Sequence, residues 1–205
     1  LAAFSNRNTR LKNIFLPLNE ALKKEQNPQL LLQFLILLDD IEFSSQVISI
    51  ADFGLFFNEC LYRTALSGGL NGKKRTSPPT INQLMVALCS PKGGEIIYDP
   101  TAGQGSSLIS FVHHLPNVDI IAREENPQHV ALCCMNLIVN GVYHADVRCT
   151  NVLIGTSADT IKVDYAVAHF PFGQYINSDI IKDQQYLSIP FDINTPRLHC
   201  NALFI

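Results

Sequence analysis

Apolar positions recur every three to four residues over the first third of the chain; beyond it they gather into short runs separated by glycine turns. Leu11, Ile14, Phe15, Leu18 and Leu22 fall at helical spacing, and Asn27-Pro28 interrupts that pattern. The run Leu30-Leu31-Leu32-Gln33-Phe34-Leu35-Ile36-Leu37-Leu38 is too short to span a bilayer, is broken by Gln33 and ends at Asp39-Asp40. It predicts a buried helix. A third helix is predicted over roughly Ser49 to Ala65, with Asp52 near its start and Ser67-Gly68-Gly69 at its end. Residues 1–70 thus read as a helical subdomain.

From Asn71 the rhythm changes. The turn-rich stretch Asn71 to Thr80 precedes a helix predicted over Ile81 to Leu88. Strands are then predicted at Glu95–Tyr98, Val118–Ala122, Ala145–Cys149 and Val163–Ala168. Between them lie a helix starting near Leu108 and another over His129 to Asn140, closed by Gly141. Strands alternating with helices predict an α/β fold with a parallel sheet over residues 71–205. Gln174 to Ile205 reads as loop, with Pro190 and Pro196, and then the start of a helix near Leu198.

Composition narrows the class. A chain of 205 residues, 47% apolar and 16% charged, can bury one substantial core and a small satellite. The net charge of −3 argues against a broadly basic surface, so any nucleic-acid contact is expected to be local or shared with a partner. None of the six cysteines forms a Cys-x-x-Cys pair, and no histidine cluster suggests a metal. Reduced, buried thiols in a cytoplasmic protein are expected. The sequence starts at Leu1 without a signal-peptide pattern, which suggests a fragment.

The candidate chemistry centres on Tyr98-Asp99-Pro100-Thr101-Ala102-Gly103-Gln104-Gly105-Ser106-Ser107-Leu108, a strand, a glycine turn and a helix start. Glycines let the backbone turn tightly and approach a ligand, and the helix N-terminus offers unpaired N–H groups. The order Asp-Pro-x-x-Gly-x-Gly-x-x-Leu resembles the N6-adenine DNA methyltransferases, specifically the modification subunit of type I restriction-modification systems. In that family a second glycine stands where this chain has Ser106. The resemblance implies a Rossmann-like class I methyltransferase core preceded by a helical subdomain, with S-adenosylmethionine bound by Asp99, Thr101, Gly103, Gly105 and Ser106. It also implies further strands beyond this point, so the sheet is expected to be incomplete at its C-terminal side.

An acidic residue about 20 positions beyond the glycine loop is placed to bind ribose hydroxyls, which singles out Glu124. The family pattern Gly-x-Glu-x-Asn-Pro is similar to Ala122-Arg123-Glu124-Glu125-Asn126-Pro127 and also favours Glu124 over Glu125. The family's Thr-Pro element, which closes over the methionine end of the cofactor, is matched by Ser77-Pro78, with Thr76 beside it. That would put Lys73, Lys74 and Arg75 near a phosphate backbone. Asn151 stands for the aspartate that holds the adenine amino group of the cofactor; an amide oxygen can accept the same bond.

The family's catalytic Asn-Pro-Pro-Phe corresponds here to His169, Phe170, Pro171 and Phe172. The adenine N6 lone pair is delocalised into its ring, so acceptors must draw on the amine hydrogens before it can attack. His169 offers a neutral ring nitrogen, Phe170 a backbone carbonyl, and Phe172 a ring to stack on a flipped base. The implied partners are double-stranded DNA, a specificity subunit and a restriction subunit, with no membrane. The changes at Ser106, Asn151, His169 and Phe170 leave two other readings open: a pseudo-methyltransferase that only binds, and a methyltransferase acting on an amide or amine of protein.

Overall fold

The computed structural model describes residues 14, 28–39, 41–42, 44, 47–67, 77–152, 162–169 and 203–204. Thr76, Phe170, Pro171 and Phe172 lie outside them, as do Lys73, Lys74 and Arg75.

Among the described residues the N-terminal part holds α1 (Pro28–Asp39) and α2 (Ile50–Ser67). α1 is helical as expected, but Leu32, Ile36 and Leu37 of its apolar run are all more than half exposed. Apolar content predicts a helix here without saying which side is covered. α2 starts where Ser49 Oγ accepts the Asp52 N–H at 3.1 Å, an N-cap that supplies one of the helix's orphan donors with a partner.

After α3 (Pro79–Cys89) the chain alternates as the pattern predicts: β1 (Ile96–Asp99), α4 (Ser106–His114), β2 (Asp119–Glu124), α5 (Pro127–Val139) and β3 (Asp146–Cys149). β4 (Tyr165–Ala166) completes a sheet in the order β3-β2-β1-β4 with every pairing parallel. The expected strand over Val163–Ala168 is in fact divided. Tyr165 and Ala166 pair with β1, whereas β5 (Ala168–His169) pairs antiparallel with β6 (Leu203–Phe204). Leu203 and Phe204 are thus extended, in place of the helix expected from Leu198 onwards; the rest of that segment lies outside the described residues.

The core lies between the sheet and its helices. Ile97, Leu108, Phe111, Cys133 and Met85 are fully or almost fully buried in one cluster. Each large buried aliphatic or aromatic side chain contributes roughly 1.5–3 kcal/mol. Ile14 packs with Val130 and Cys134 in a second cluster on α5. Cys89, Cys133 and Cys134 are buried as expected, but Cys60 and Cys149 are exposed.

Arg123 is 3% exposed and its guanidinium donates to the carbonyls of Ala122 and Asp146 and to Asp146 Oδ2, tying β2 to β3. Burial alone would raise the Asp146 carboxyl, but hydrogen bonds from Arg123 and Arg148 hold it below the ordinary range.

α2 reaches the core through Gly54. A methyl group there would meet Asn140 Oδ1 at 2.6 Å and the backbone oxygen of Val139 at 2.9 Å, so the two helices touch at a point where only hydrogen fits. Gly54→Ala is expected to lower stability by about 1–2 kcal/mol. The overpacking cost of ~1–3 kcal/mol outweighs the gain in helix propensity of about 1 kcal/mol. Urea unfolding midpoints of the two proteins measure the difference.

Candidate functional site

The carboxyl ends of β1, β2, β3 and β4 open on one edge of the sheet, the edge at which parallel α/β sheets bind ligands. Backbone bonds carry the strand ladder into the loops there: Ala102 N–H to Arg123 O, Thr150 N–H to Glu124 O and Val167 N–H to Tyr98 O, at 2.8–2.9 Å. Asp99, Glu124, Asn151 and His169 are thereby brought to one edge from four strand ends.

The glycine loop is held from three sides. Asp99, 2% exposed, accepts from Thr101 N–H at 2.9 Å and from Ser107 Oγ at 2.6 Å, closing the loop on its own helix. Glu124 Oε2 accepts from Gly103 N–H at 2.9 Å, while its Oε1 accepts from Asn126 N–H at 2.8 Å. Asn136, fully buried in α5, donates from Nδ2 to Gln104 O at 3.1 Å. The loop itself turns through left-handed backbone, with φ of 54° at Gly103 and 81° at Gly105. Ser106 is the first residue of α4, so a side chain is accommodated where the family has glycine.

Two carboxylates behave oppositely in this site. Burial pushes Asp99 up to about 6, and the nearby charge of Glu124 adds to this, against the hydrogen bonds from Ser107 and Thr101. For Glu124 burial also raises the carboxyl, but the His129 ring 3.7 Å away and the N–H groups of Asn126 and Gly103 together hold it below the ordinary range. Glu124 is therefore ionised at neutral pH, and Oε2, which accepts from Gly103 N–H, has a second lone pair.

Asp99 gives a pH prediction. Its folded pKa lies above the unfolded value of 3.8, so folding favours the protonated acid. Its contribution is most favourable below about pH 4, is lost as pH rises through about 6, and remains a penalty above that. The swing is on the order of 2–3 kcal/mol. Glu124 and Asp146, with lowered values, act the other way and lose their contribution at lower pH. Asp99→Asn keeps the shape and the acceptor for Thr101 N–H, so it is expected to flatten the fall in stability between pH 4 and 6. Denaturant midpoints across that range test this.

Asn151 Nδ2 donates to Glu125 Oε2 at 2.7 Å. This pair was not legible from spacing, and an aspartate at 151 would set two carboxylates against each other. Ser77 Oγ and His169 Nδ1 lie 3.1 Å apart, joining the Ser-Pro element to the strand end 92 residues later. Sequence reasoning thus placed Ser77, Asp99, Gly103, Gly105, Glu124, Asn151 and His169 at one edge, and missed Asn136 and His129. An asparagine within the apolar helix at Asn136, repeated one turn on at its C-cap Asn140, was the available signal.

The N-6 DNA Methylase family matches residues 50–204. The chain belongs to that family. The type I restriction enzyme MjaVIII methylase subunit of Methanocaldococcus jannaschii is 29% identical over 131 residues, 55% of this chain and 22% of that protein. The chain thus spans about a fifth of that relative's length. Its fold is similar to a Vibrio vulnificus structure assigned as the modification subunit of a type I restriction enzyme, with TM-score 0.59 and 21% identity over 77% of this chain and 34% of that one. It is also similar to a Listeria monocytogenes structure assigned to the class I S-adenosylmethionine-dependent methyltransferases, with TM-score 0.54 and 17% identity over 68% and 46% of the two chains. The fold is that of class I methyltransferases, and fold and family imply S-adenosylmethionine as cofactor.

The residues of this chain fit that group. Gln104 Oε1 is buried in the loop without a hydrogen-bond partner, an acceptor that a ligand amine or hydroxyl would satisfy. Two carboxylates, Asp99 and Glu124, favour a ligand carrying positive charge, which a sulfonium and an ammonium supply. Among the described residues no helix is long and apolar enough to cross a membrane, and no three His, Cys, Asp or Glu side chains gather as a metal site.

Proposed function

We propose that the chain is the S-adenosylmethionine-binding part of a type I modification subunit that methylates adenine N6 in DNA. The observation that carries this reading is the meeting of Ser77 and His169 at the same sheet edge as the Glu124-braced glycine loop. Ser77, His169 and the glycine loop all lie at the carboxyl ends of the parallel strands.

Glu124 would hold the ribose hydroxyls, Asn151 the adenine amino group, and Gly103 and Gly105 the close backbone approach, with Thr101 and Ser106 flanking. Thr76, Ser77 and Pro78 would close the methionine end. When bound, the cofactor supplies an electrophilic methyl group on sulfur. His169 would accept a hydrogen bond from the flipped adenine's amine, localising its lone pair, and Phe170 would offer its carbonyl as a second acceptor. Burial holds the His169 imidazole below its ordinary range, so it is neutral and able to accept at pH 7. Pro171 and Phe172 would shape and stack the base. Lys73, Lys74 and Arg75 supply local positive charge for phosphate despite the net charge of −3.

Double-stranded DNA is the substrate in this reading, a separate specificity subunit supplies sequence choice, and a restriction subunit shares the assembly in the cytoplasm. Residues 1–70 form the helical subdomain and residues 71–205 the methyltransferase domain. Calorimetric titration with S-adenosylmethionine tests the cofactor half first, with micromolar binding expected. Transfer of labelled methyl from bound cofactor to adenine-containing duplex then tests the substrate. Labelled glutamine in a protein acceptor would favour the amide reading, and binding with no transfer to either would favour a pseudo-methyltransferase.

A further inference from the structure

Ser77 and His169 are both held by rigid neighbours. Pro78, with φ of −57° and ψ of 141°, caps α3, and its carbonyl accepts from Ile81 and Asn82 N–H. Two consecutive prolines fix the backbone that follows Ser77. α3 in turn is anchored by Met85, Val86 and Cys89 in the core. On the other side Val167 and Ala168 are buried to within 1% of completely, and Val167 N–H is bonded to Tyr98 O. The 3.1 Å approach of Ser77 Oγ to His169 Nδ1 is thus set by two fixed elements, at a partly buried position.

A neutral imidazole has one donor nitrogen and one acceptor nitrogen, and the bond made at one decides the role of the other. A serine hydroxyl can serve either way, so the chemistry of the substrate distinguishes the two arrangements. An aromatic amine presents N–H groups in its plane. An imidazole with hydrogen on Nε2 would set donor against donor.

We propose that Ser77 is a positioning residue: its oxygen accepts the Nδ1–H of His169 and fixes the tautomer whose Nε2 carries the lone pair offered to the substrate amine. The inference deepens the adenine-methylation reading, since a serine and a histidine together would do what the family's asparagine amide does alone. It gives Ser77 a task distinct from closing over the cofactor.

The test is the nitrogen NMR of the whole chain labelled in histidine at neutral pH, with His169→Asn identifying the signal among the six histidines. The expected result is a protonated Nδ1 and a bare Nε2 in the unaltered protein and in Ser77→Thr. In Ser77→Ala the ring is expected to shift toward the Nε2–H form that imidazole favours in water. An unaltered ring already in the Nε2–H form, or a ring unchanged by Ser77→Ala, overturns the proposal. This readout needs neither cofactor nor DNA, so it stands or fails separately from the methylation reading. In a transferring preparation Ser77→Ala should lower kcat about 10- to 100-fold, Ser77→Thr should restore it, and Ser77→Ala should lower kcat no further in a His169→Asn background. A loss of kcat that persists undiminished in the His169→Asn background would mean that Ser77 does not act through His169, and would overturn it.

Discussion

Glu124→Ala is expected to weaken S-adenosylmethionine binding by at least 100-fold. The carboxylate does two things at once in the folded chain. It fixes the glycine loop by accepting Gly103 N–H, and it retains a second lone pair on Oε2 for a ligand hydroxyl while ionised. A hydrogen bond to a charged group contributes roughly 1.5–3 kcal/mol, so losing that ligand bond alone accounts for about one to two decades. Alanine also strands Gly103 and Asn126 N–H, which lets the loop relax away from the position that receives the cofactor. Glu124→Gln keeps one acceptor oxygen and is expected to lose about 10-fold, because its amide cannot accept from both N–H groups and from the ligand. Calorimetric titration measures both variants, with thermal melts showing that they fold. An affinity within threefold of the parent in a folded Glu124→Ala would remove this residue from the cofactor site. Glu125 offers the contrast: it is exposed and bonded to Asn151, so Glu125→Gln should change affinity far less.

The difference between these neighbouring glutamates was legible in the sequence because spacing from a glycine loop is a backbone property. β1, the loop and β2 are one continuous unit, and the parallel register Asp99 to Ala122 fixes where the end of β2 must fall. The sheet was legible for a similar reason: Ile96-Ile97 and Ile120-Ile121 each put one fully or nearly fully buried side chain into the core, and the half-buried Val147 packs against it. What escaped depends on contacts distant in the chain. Val163–Ala168 reads as one strand, and only the antiparallel partner at Leu203–Phe204 shows that it serves two sheets. The apolar run of α1 predicts a helix, yet the exposure of Leu32, Ile36 and Leu37 depends on what lies beside it. Nothing in the spacing of Asn136 shows what it bonds. Its partner is a loop carbonyl 32 residues earlier, and the same side chain is bonded by Asn140, which abuts Gly54 of α2. A polar ladder therefore runs from α2 to the glycine loop.

Gly105→Ala is expected to cost about 2–5 kcal/mol of stability and to abolish measurable cofactor binding. Two separable effects combine. At φ of 81° a side chain is strained by roughly 1–2 kcal/mol, and the residue cannot rotate out of that region because it caps α4, donating to Ala102 O and accepting from Ile109 N–H. The new methyl group would also lie 2.9 Å from Cys133 Sγ and 3.6 Å from Cys133 Cα. Cys133 is completely buried in α5, so its thiol must turn within a packed core or the helix must shift, at about 1–3 kcal/mol. Gly141→Ala separates the two effects. Its φ is 85°, yet nothing lies within 4 Å of the added carbon, so only the backbone strain should appear, with cofactor affinity unchanged. Adding Cys133→Ala to Gly105→Ala should return part of the loss, giving a coupling of about 1 kcal/mol in a double-mutant cycle. Strictly additive losses would mean that strain alone, and not the packing of α5 on the loop, demands glycine at 105.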